Sequence, residues 1–589
     1  MVSSRTLVLI AGLFACGGAC GSKQSEPQPR TLVRADPPTT DRPRVVSSPS
    51  RARAVGTNLA APTYWSSNYP FVDQLKVADG WISGRGETWD DGRTIATDEH
   101  GWIRRLEPGQ IARLFLIGGD QEHPNGPMVV RYDGRGELQY KGSVRNLAQS
   151  EGRDTFVLDG RDGLYMEIHS VDPENPIRNI RAYLPGGRCE NDAFAFCTDE
   201  SACEGRCVPF EENADELPFH PEFLAESRPF GVLRFMDWQQ TNRLRALPED
   251  EEPPPVREWS ELPTREDAFW RPVPVDVMID LANLLDADPW FCIAHTASDD
   301  LVRQFAARAA ERLEPQRRAY VEYTNEYWND MFDQHQWING QGCALYGTAR
   351  ECDPNRDGTL CEYTSWSRFQ ETCLRHGHRY FAERTVAIGA LWNEALGERA
   401  LRVMAGQIGG ADWFVPDYLL HEVDGAPAHE GIDIVAVAPY FGAELHRAAA
   451  LDDVFRRDEE GRYRMLVGEE NAEYGGVVDW IAKDLRILRE RLPEGAVQYV
   501  AYEGGQHLHN HEEAVMNLFL AANRDPRMES VYTQYLHAWR DLTDDALFVH
   551  YASPSVWNQY GAWGSKERQG QALAQAPKHR ALLRFVAGQ

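Results

Sequence analysis

Residues 319–329 have the sequence Ala-Tyr-Val-Glu-Tyr-Thr-Asn-Glu-Tyr-Trp-Asn, in which a largely apolar run leads directly into Asn325 and Glu326. Residues 497–505, Val-Gln-Tyr-Val-Ala-Tyr-Glu-Gly-Gly, show the same pattern and lead into Glu503. Such nearly continuous apolar runs are typical of strands that are buried on both faces of a parallel sheet. Both stretches therefore predict a buried strand with a glutamate just beyond its carboxyl end.

Eight runs of this kind alternate along the chain with longer helical or loop segments. The clearest helix predictions are 274–285 and 298–313, the second with Ser298 as its N-cap. This alternation predicts an α/β protein of the (β/α)8, or TIM-barrel, class. The alternative is a doubly wound open sheet, but no glycine-rich phosphate loop follows the first strand. The predicted strands are 55–60, 231–237, 290–295, 319–324, 401–406, 432–438, 497–502 and 530–536.

The connection after the first strand is too long for a helix alone. Between about 75 and 225, alternating apolar stretches are separated by Gly, Asp and Asn, which predicts a β-rich insertion that ends in a cysteine-rich segment. A second long connection, 247–272, is acidic and rich in proline. Because both would leave the carboxyl ends of barrel strands, we expect them to form one wall of a cleft. The predicted catalytic barrel, with its insertion, spans 54–589.

The cysteines favour an exported protein. Beyond the N-terminal segment, eight of them form two clusters in loop-like sequence, Cys189, Cys197, Cys203 and Cys207 in the first and Cys343, Cys352, Cys361 and Cys373 in the second. Two disulfides in each cluster would suit an oxidising compartment. A zinc site is the alternative, although no CxxC pair is present. Cys292 lies in a predicted strand and is expected to be a buried free thiol.

The N-terminus has the features of an export signal. Residues 1–15 combine a weakly basic start with an apolar run too short to span a bilayer, which predicts a signal peptide. Leu13-Phe-Ala-Cys16 resembles a bacterial lipobox, in which the cysteine is lipidated. Cys20 is a second candidate, and an ordinary cleaved signal is the alternative. Residues 16–53, rich in Pro, Ser, Thr and Arg, are predicted to be a lipid-anchored disordered linker.

This N-terminus predicts either a bacterial cell-envelope lipoprotein or an extracellular protein. Membrane contact is then expected only through the N-terminal lipid anchor. The 589-residue chain carries 61 basic and 90 acidic residues, a formal net charge of −29. A polyanion would be repelled over most of such a surface, which excludes nucleic acid as a main partner.

The glutamates at positions 326 and 503 are the candidate catalytic groups. In a (β/α)8 barrel the carboxyl ends of all strands meet at one mouth, so the two side chains should lie close together. Hydrolysis of a glycosidic bond uses such a pair: one carboxylic acid protonates the leaving oxygen and one carboxylate attacks the anomeric carbon. The sequence therefore predicts a polysaccharide or oligosaccharide as the substrate.

An Asn-Glu pair after the fourth strand and a Glu after the seventh resemble clan A of the retaining glycoside hydrolases, (β/α)8 enzymes that include cellulases, mannanases and xylanases. The resemblance covers about 55–563 and implies that Glu326 is the acid/base and Glu503 the nucleophile. It also implies five substrate-binding residues: Asn325 for the sugar 2-hydroxyl, Arg234 and Tyr440 beside the nucleophile, His295, and Trp539 as a sugar-stacking side chain closing the eighth strand. No particular family within the clan is indicated.

No cofactor is expected, because acid/base and nucleophilic chemistry requires none. Asp353, Asn355 and Asp357 match the first half of a calcium-binding loop, but its closing Glu is missing. A structural calcium there is an alternative to a polar loop closed by a disulfide. The run 507–511, His-Leu-His-Asn-His, could suggest a metal, but its two-residue spacing does not place ligands on one helix face. A polar loop lining the cleft is the preferred interpretation.

The sequence thus predicts an exported, lipid-anchored retaining glycoside hydrolase that acts on a polysaccharide by double displacement. The alternative is a surface glycan-binding lipoprotein that keeps the barrel and its cleft without turnover. Such a protein would have lost one of the two glutamates, and both are present. A serine hydrolase is a weaker alternative, because the chain contains no G-x-S-x-G sequence.

Overall fold

The computed structural model describes residues 55–119, 123–242, 255–347, 374–443, 445, 448–469 and 475–589. The predicted signal peptide (1–15), the whole of the predicted linker (16–53) and the candidate calcium residues Asp353, Asn355 and Asp357 lie outside these ranges. Three cysteines of the second cluster lie outside them as well.

Eight parallel strands close into a barrel in chain order, which confirms the predicted (β/α)8 class. Gly56 on the first strand pairs with Val232 on the second and Val549 on the eighth, so it lies at the closure. A Cβ atom on Gly56 would lie 2.8 Å from the Val232 carbonyl oxygen, so this close approach requires glycine. The barrel strands are Val55–Asn58, Val232–Arg234, Asp288–Ile293, Ala319–Tyr323, Ala400–Ala405, Ile434–Val437, Gln498–Ala501 and Phe548–His550.

Strand residues alternate between the barrel interior and the surrounding helices. On the third strand, Trp290 and Cys292 belong to the interior cluster, whereas Phe291 packs outward in the larger core. Inside the barrel, Trp290 stacks on Tyr320 of the fourth strand with ring centroids 4.8 Å apart. Both faces of these strands are therefore apolar, which explains the nearly continuous apolar runs in the sequence.

Seven of the eight strand predictions are confirmed, and the eighth is wrong. Residues 530–536 lie in the helix Arg527–Thr543, and the eighth strand is the shorter segment Phe548–His550. The buried side chains of that helix recur at helical spacing, at Val531, Tyr532, Tyr535, Leu536 and Trp539. Aromatic and β-branched residues in this run favour a strand locally, but their period of about 3.6 is that of a helix.

Helices surround the barrel. The predicted helix near 298–313 is observed as Asp299–Arg312, and the Ser298 hydroxyl accepts a hydrogen bond from the Leu301 amide at 3.1 Å, as a cap should. In the described part of the chain, no helix is both long and apolar enough to cross a membrane. The other helices of seven or more residues are Pro221–Ser227, Val275–Leu284, Asp333–Tyr346, Arg375–Leu396, Val477–Arg491, Glu513–Arg524, Arg527–Thr543 and Pro577–Val586.

The connection between the first two barrel strands contains two four-stranded antiparallel sheets. Side chains from both sheets, among them Leu114, Met128, Phe156 and Met166, form a hydrophobic core separate from that of the barrel. The insertion is therefore a two-layer sandwich. In spatial order its sheets are Ile82–Gly84, Ile111–Ile117, Leu164–Val171 and Gly136–Gly142, and Arg178–Tyr183, Gly126–Asp133, Arg153–Leu158 and Val144–Ser150.

The first cysteine cluster follows the sandwich on a three-stranded sheet, Gly187–Cys189, Asp192–Cys197 and Cys207–Pro209. Its disulfides join Cys189 to Cys203 and Cys197 to Cys207. This pairing uses all four thiols, as the disulfide interpretation of the cluster predicts. Cys343 of the second cluster is also disulfide-bonded. Cys292 is buried and free, as predicted.

Candidate active site

Arg234 is the centre of the barrel mouth. It ends the second strand, and its side chain is fully buried. The guanidinium donates hydrogen bonds to Glu503 Oε1 at 2.5 Å, to Asn325 Oδ1 at 2.7 Å and to Asn58 Oδ1 at 2.9 Å. It also forms an ion pair with Glu322 of the fourth strand, with Nη2 2.9 Å from Oε2. One cation therefore links groups at the ends of four barrel strands.

Glu503 lies two residues beyond the seventh strand and is 5% exposed. Besides the Arg234 contact, its Oε2 accepts a hydrogen bond from the Tyr440 hydroxyl at 2.9 Å. Burial raises the pKa of Glu503 to about 8, opposed by Arg234 and reinforced by the negative charge of Glu326. The Glu503 carboxyl is thus fixed in orientation and ionises at a higher pH than an exposed glutamate.

Glu326 lies three residues beyond the fourth strand and is half-buried. Its Oε1 accepts a hydrogen bond from the Tyr502 hydroxyl at 2.8 Å, and its Oε2 accepts one from Asn329 Nδ2 at 3.0 Å. Because Tyr502 directly precedes Glu503, the contact brings the two glutamates to one place. The structure thereby joins the two predicted catalytic residues at the mouth, together with Asn325, Arg234 and Tyr440.

The backbone around Glu326 is in an unusual conformation. Thr324 and Glu326 have φ angles of 57° and 39°, in the left-handed region that costs a non-glycine residue of order 1 kcal/mol. The Thr324 amide donates to the Ile293 carbonyl at 2.8 Å, and Gln334 Nε2 donates to the Asn325 carbonyl at 2.9 Å. Tertiary contacts thus hold a turn that local sequence disfavours, a situation common at functional sites.

Both the oxygen and the nitrogen of the Asn325 side-chain amide form hydrogen bonds. Its Oδ1 accepts from Arg234, and its Nδ2 donates to Asn242 Oδ1 at 3.1 Å. Asn242 also accepts from Gln334 Nε2 at 2.8 Å. The side chain of Asn325 is 2% exposed, so its orientation beside Arg234 is set before any ligand binds.

Trp539 is not in the mouth, and its predicted role is wrong. It lies on the helix Arg527–Thr543, is fully buried, and donates from its indole N–H to the Ala546 carbonyl at 2.9 Å. Its ring packs between Tyr499 and Phe548 in the core outside the barrel. A side chain in this position cannot stack on a sugar. The error follows from the misplaced eighth strand.

The residue that does follow the eighth strand is Tyr551. Its ring lies 6.3 Å from that of Tyr440 in an edge-on arrangement, and its hydroxyl donates to Asp237 Oδ2 at 3.4 Å. Burial raises the pKa of Asp237 to about 6, against the lowering effect of Arg234. Sequence reasoning missed both residues, although the strand-end position of Asp237 was a usable signal.

Glu322 is a third residue that sequence reasoning missed. It points into the barrel, where its Oε2 accepts hydrogen bonds from Trp290 Nε1 at 2.8 Å and from the Cys292 thiol at 3.3 Å. Burial raises the pKa of Glu322, while Arg234 opposes that shift. The signal was strand alternation, because a charged residue that faces a barrel interior must have a buried partner.

His295 follows the third strand, as predicted, and is 3% exposed. Its ring packs edge-on against Trp337, with centroids 5.4 Å apart, and its carbonyl accepts from the Tyr323 hydroxyl at 3.0 Å. This packing on the helix Asp333–Tyr346 explains its burial. A substrate contact by His295 stays a prediction.

The histidine run borders the mouth. The His507 ring lies 5.6 Å from that of Tyr440, and His507 Nδ1 accepts from Trp563 Nε1 at 3.4 Å. His509 stacks on Trp563 with an interplanar angle of 19°. Within the described ranges, these histidines do not form a group of three ligands at metal-binding distances. They form a polar and aromatic rim beside Tyr440, as the cleft-loop interpretation predicts.

The chain is therefore a (β/α)8 barrel that carries two carboxyl groups, those of Glu326 and Glu503, at its mouth. No family model matches the sequence, and a search of curated proteins finds no match.

Three solved structures show low similarity to this chain. A Bacteroidetes-affiliated GH5 cellulase is 12% identical, with 62% of this chain and 86% of that chain covered and a TM-score of 0.35. A GH5 family lichenase from Caldicellulosiruptor sp. F32 is 11% identical, with 68% and 92% covered and a TM-score of 0.33. A GH51 arabinofuranosidase from Xanthomonas axonopodis pv. citri is 12% identical, with 56% and 59% covered and a TM-score of 0.29. The fold assignment rests on the strand topology of this chain itself.

Proposed function

We propose that this protein is a retaining glycoside hydrolase that cleaves O-glycosidic bonds in a neutral polysaccharide. The observation that carries the proposal is the unequal pair of glutamates at the mouth. Glu503 is buried and receives hydrogen bonds from Arg234 and Tyr440, whereas Glu326 is half-buried and bonded to Tyr502 and Asn329. Two carboxyl groups in different environments are what a double displacement uses.

In the first step, a carboxylate oxygen of Glu503 forms a bond to the anomeric carbon as the glycosidic C–O bond breaks. The Glu326 carboxyl gives its proton to the departing oxygen. The two hydrogen bonds to Glu503 stabilise its ionised form and orient it for attack. The productive state requires Glu503 to be ionised and Glu326 to be protonated, so burial, which raises the pKa of Glu503, disfavours that state at low pH.

In the second step, the Glu326 carboxylate accepts a proton from water. The water oxygen bonds to the anomeric carbon, and the bond from that carbon to Glu503 breaks. Both displacements invert the anomeric centre, so the product retains the configuration of the substrate. The proposed reaction uses no cofactor.

Substrate recognition in this proposal uses the groups around the pair. Asn325, which is held beside Arg234, would contact the sugar 2-hydroxyl. Tyr551 would offer a ring after the eighth strand, and Asp237, its hydrogen-bond partner, would accept hydrogen bonds from sugar hydroxyls. Asp237 and the two catalytic glutamates make the mouth acidic, which disfavours sugars that carry carboxylates. The protein would act outside the cytoplasm, held at the cell envelope by its N-terminal lipid.

The test is incubation of the full chain with plant, fungal and bacterial polysaccharides, both neutral and acidic. We expect new reducing ends with at least one neutral polysaccharide and none with the Glu503→Gln variant. Proton NMR of the first product should show a retained anomeric configuration. An inverted product would overturn the mechanism. Binding without any hydrolysis would favour the alternative, a glycan-binding protein without turnover.

A further inference from the structure

Four aromatic side chains form a half-exposed group on the sandwich insertion, outside the barrel mouth. Phe115 and Tyr165 are directly opposite each other on adjacent strands, on the face of the first sheet that points away from the sandwich core. The Trp89 ring lies 4.8 Å from Phe115 and 5.1 Å from Tyr165, and Tyr64 stacks on Phe115 at 5.2 Å. We call these four residues the outer aromatic surface.

The loop that carries Trp89 is exposed, but the buried side chain of Arg113 beneath it holds its backbone in place. Arg113 is 4% exposed and forms an ion pair with Glu167, with Nε 2.7 Å from Oε1. Its guanidinium also donates to the carbonyls of Gly86, Thr88 and Trp89. A buried ion pair therefore orders the backbone beneath a half-exposed indole, so a ligand of Trp89 would find it already positioned.

Tyr64 connects the outer aromatic surface to the barrel mouth through a short stretch of chain. Tyr64 belongs to the segment that leaves the carboxyl end of the first barrel strand, six residues beyond Asn58, which accepts a hydrogen bond from Arg234. Six residues reach at most about 21 Å. The Tyr64 carbonyl also accepts from the Gly118 amide at 2.6 Å, which fastens this segment to the sheet.

The chemistry of the surface fits an extended neutral glycan. Aromatic rings present apolar faces to sugar C–H groups, and clustered rings that stay partly exposed are a common feature of binding surfaces. The charges beneath it cancel, because Arg113 is paired with Glu167. A polyanionic ligand would meet no free cation from this pair and would be repelled by a chain of net charge −29.

We propose that the outer aromatic surface is a second carbohydrate-binding site, which holds the part of a polysaccharide that extends out of the mouth. The proposal rests on the proposed function for the chemical class of the ligand. It adds a contact that a short oligosaccharide confined to the mouth does not reach.

The test measures binding of the full-length Glu503→Gln protein by affinity electrophoresis in gels with hydroxyethyl cellulose, arabinoxylan or galactomannan. For the polymer that retards this protein, adding Trp89→Ala should weaken binding by about tenfold or more. The affinity of the Trp89→Phe variant for this polymer should lie between those of the parent and the Trp89→Ala variant. Trisaccharides of the same sugar should bind the parent and the Trp89→Ala variant equally.

Trp81→Ala is the matched control. Trp81 is also half-buried on the insertion, but its indole donates to the Gly101 carbonyl and its ring packs on Phe269. Its replacement should leave polymer binding unchanged, with thermal melting used to verify the fold of every variant. Unchanged polymer binding by Trp89→Ala, equal weakening for polymer and trisaccharide, or no retardation in any gel would overturn the proposal. Hydrolysis is measured separately with the unmodified protein, so failure of the proposed function would be distinguishable.

Discussion

The floor of the mouth around Glu503 and its rim around Glu326 hold the same type of side chain in different ways. At the floor, Glu503 is 5% exposed and shares Arg234 with Glu322, so burial dominates its chemistry. At the rim, Glu326 is half-buried on a turn with positive φ and has the hydroxyl of Tyr502 as a partner. The difference teaches that position in the barrel, and not residue type, gives the two glutamates the distinct environments that the proposed roles require.

The floor and the rim also differ in how they hold the carboxyl group. The floor fixes its carboxylate with two strong donors, which suits a group that must form a bond to carbon along one direction. The rim leaves Glu326 half-buried, which suits the proposed exchange of a proton with a leaving group and then with water.

The largest expected effect comes from removing the carboxylate at the floor. Glu503→Gln should lower turnover of the best substrate by at least about 10,000-fold, because no other group there can form the bond to the anomeric carbon. Initial rates of reducing-end release measure this. Glu490→Gln, an exposed glutamate on the helix Val477–Arg491, is the control and should keep full activity. If the Glu503→Gln variant kept more than one hundredth of the parent's activity, Glu503 would not be the nucleophile and the contrast between floor and rim would be wrong.

Removing the carboxylate at the rim should have a substrate-dependent effect. Glu326→Ala should lose about 100- to 10,000-fold on a sugar leaving group, since proton donation to that oxygen is lost. On an aryl glycoside whose phenol leaves without a proton, the first step should be nearly unaffected, visible as a burst of phenol. A uniform loss on both substrates would mean that the group at the rim is not the acid.

The two tyrosines give a matched pair with smaller effects. Tyr440→Phe removes the hydroxyl that donates to Glu503, and Tyr502→Phe removes the one that donates to Glu326. Each should cost about tenfold, the usual value of one charge-assisted hydrogen bond. We expect Tyr440→Phe to slow both aryl and sugar leaving groups and Tyr502→Phe to slow mainly the sugar. Identical profiles for the two variants would contradict separate roles.

The smallest expected effect is a shift in the pH profile. Activity requires ionised Glu503, whose pKa is raised, so kcat/KM should fall as the pH drops through a value above that of an ordinary glutamate. Glu322→Gln removes a carboxylate that competes for Arg234 and should move this acid limb to lower pH by up to about one unit. Measurements of kcat/KM between pH 4 and 9 test this shift, and the Glu490→Gln control should show the same pH profile as the parent. A shift to higher pH would contradict the shared-cation argument.

Much of the fold could be predicted, because buried parallel strands leave a strong apolar pattern. Seven barrel strands and the helix after Ser298 are found where the pattern places them. The eighth strand, Phe548–His550, was missed because the neighbouring helix Arg527–Thr543 carried the stronger apolar signal.

The site was predictable only in part. The pattern places five residues at or just beyond strand ends, and hydrogen bonds bring them together at the mouth: Glu326, Glu503, Arg234, Asn325 and Tyr440. Trp539 was misassigned and Tyr551 missed for the same reason, an error in the last strand. The partnership of Glu322 with Arg234 depends on which residues of different strands face each other across the barrel, and no local pattern contains that information.

The sequence by itself determined the barrel class, the paired cysteines of the first cluster and the two glutamates at strand ends, because burial and strand position leave marks in local composition. Only the tertiary structure decided which carboxylate is buried, which cation it shares and which ring follows the eighth strand. These depend on closure of the barrel, which brings residues distant in the chain within a few ångströms and removes water from between them.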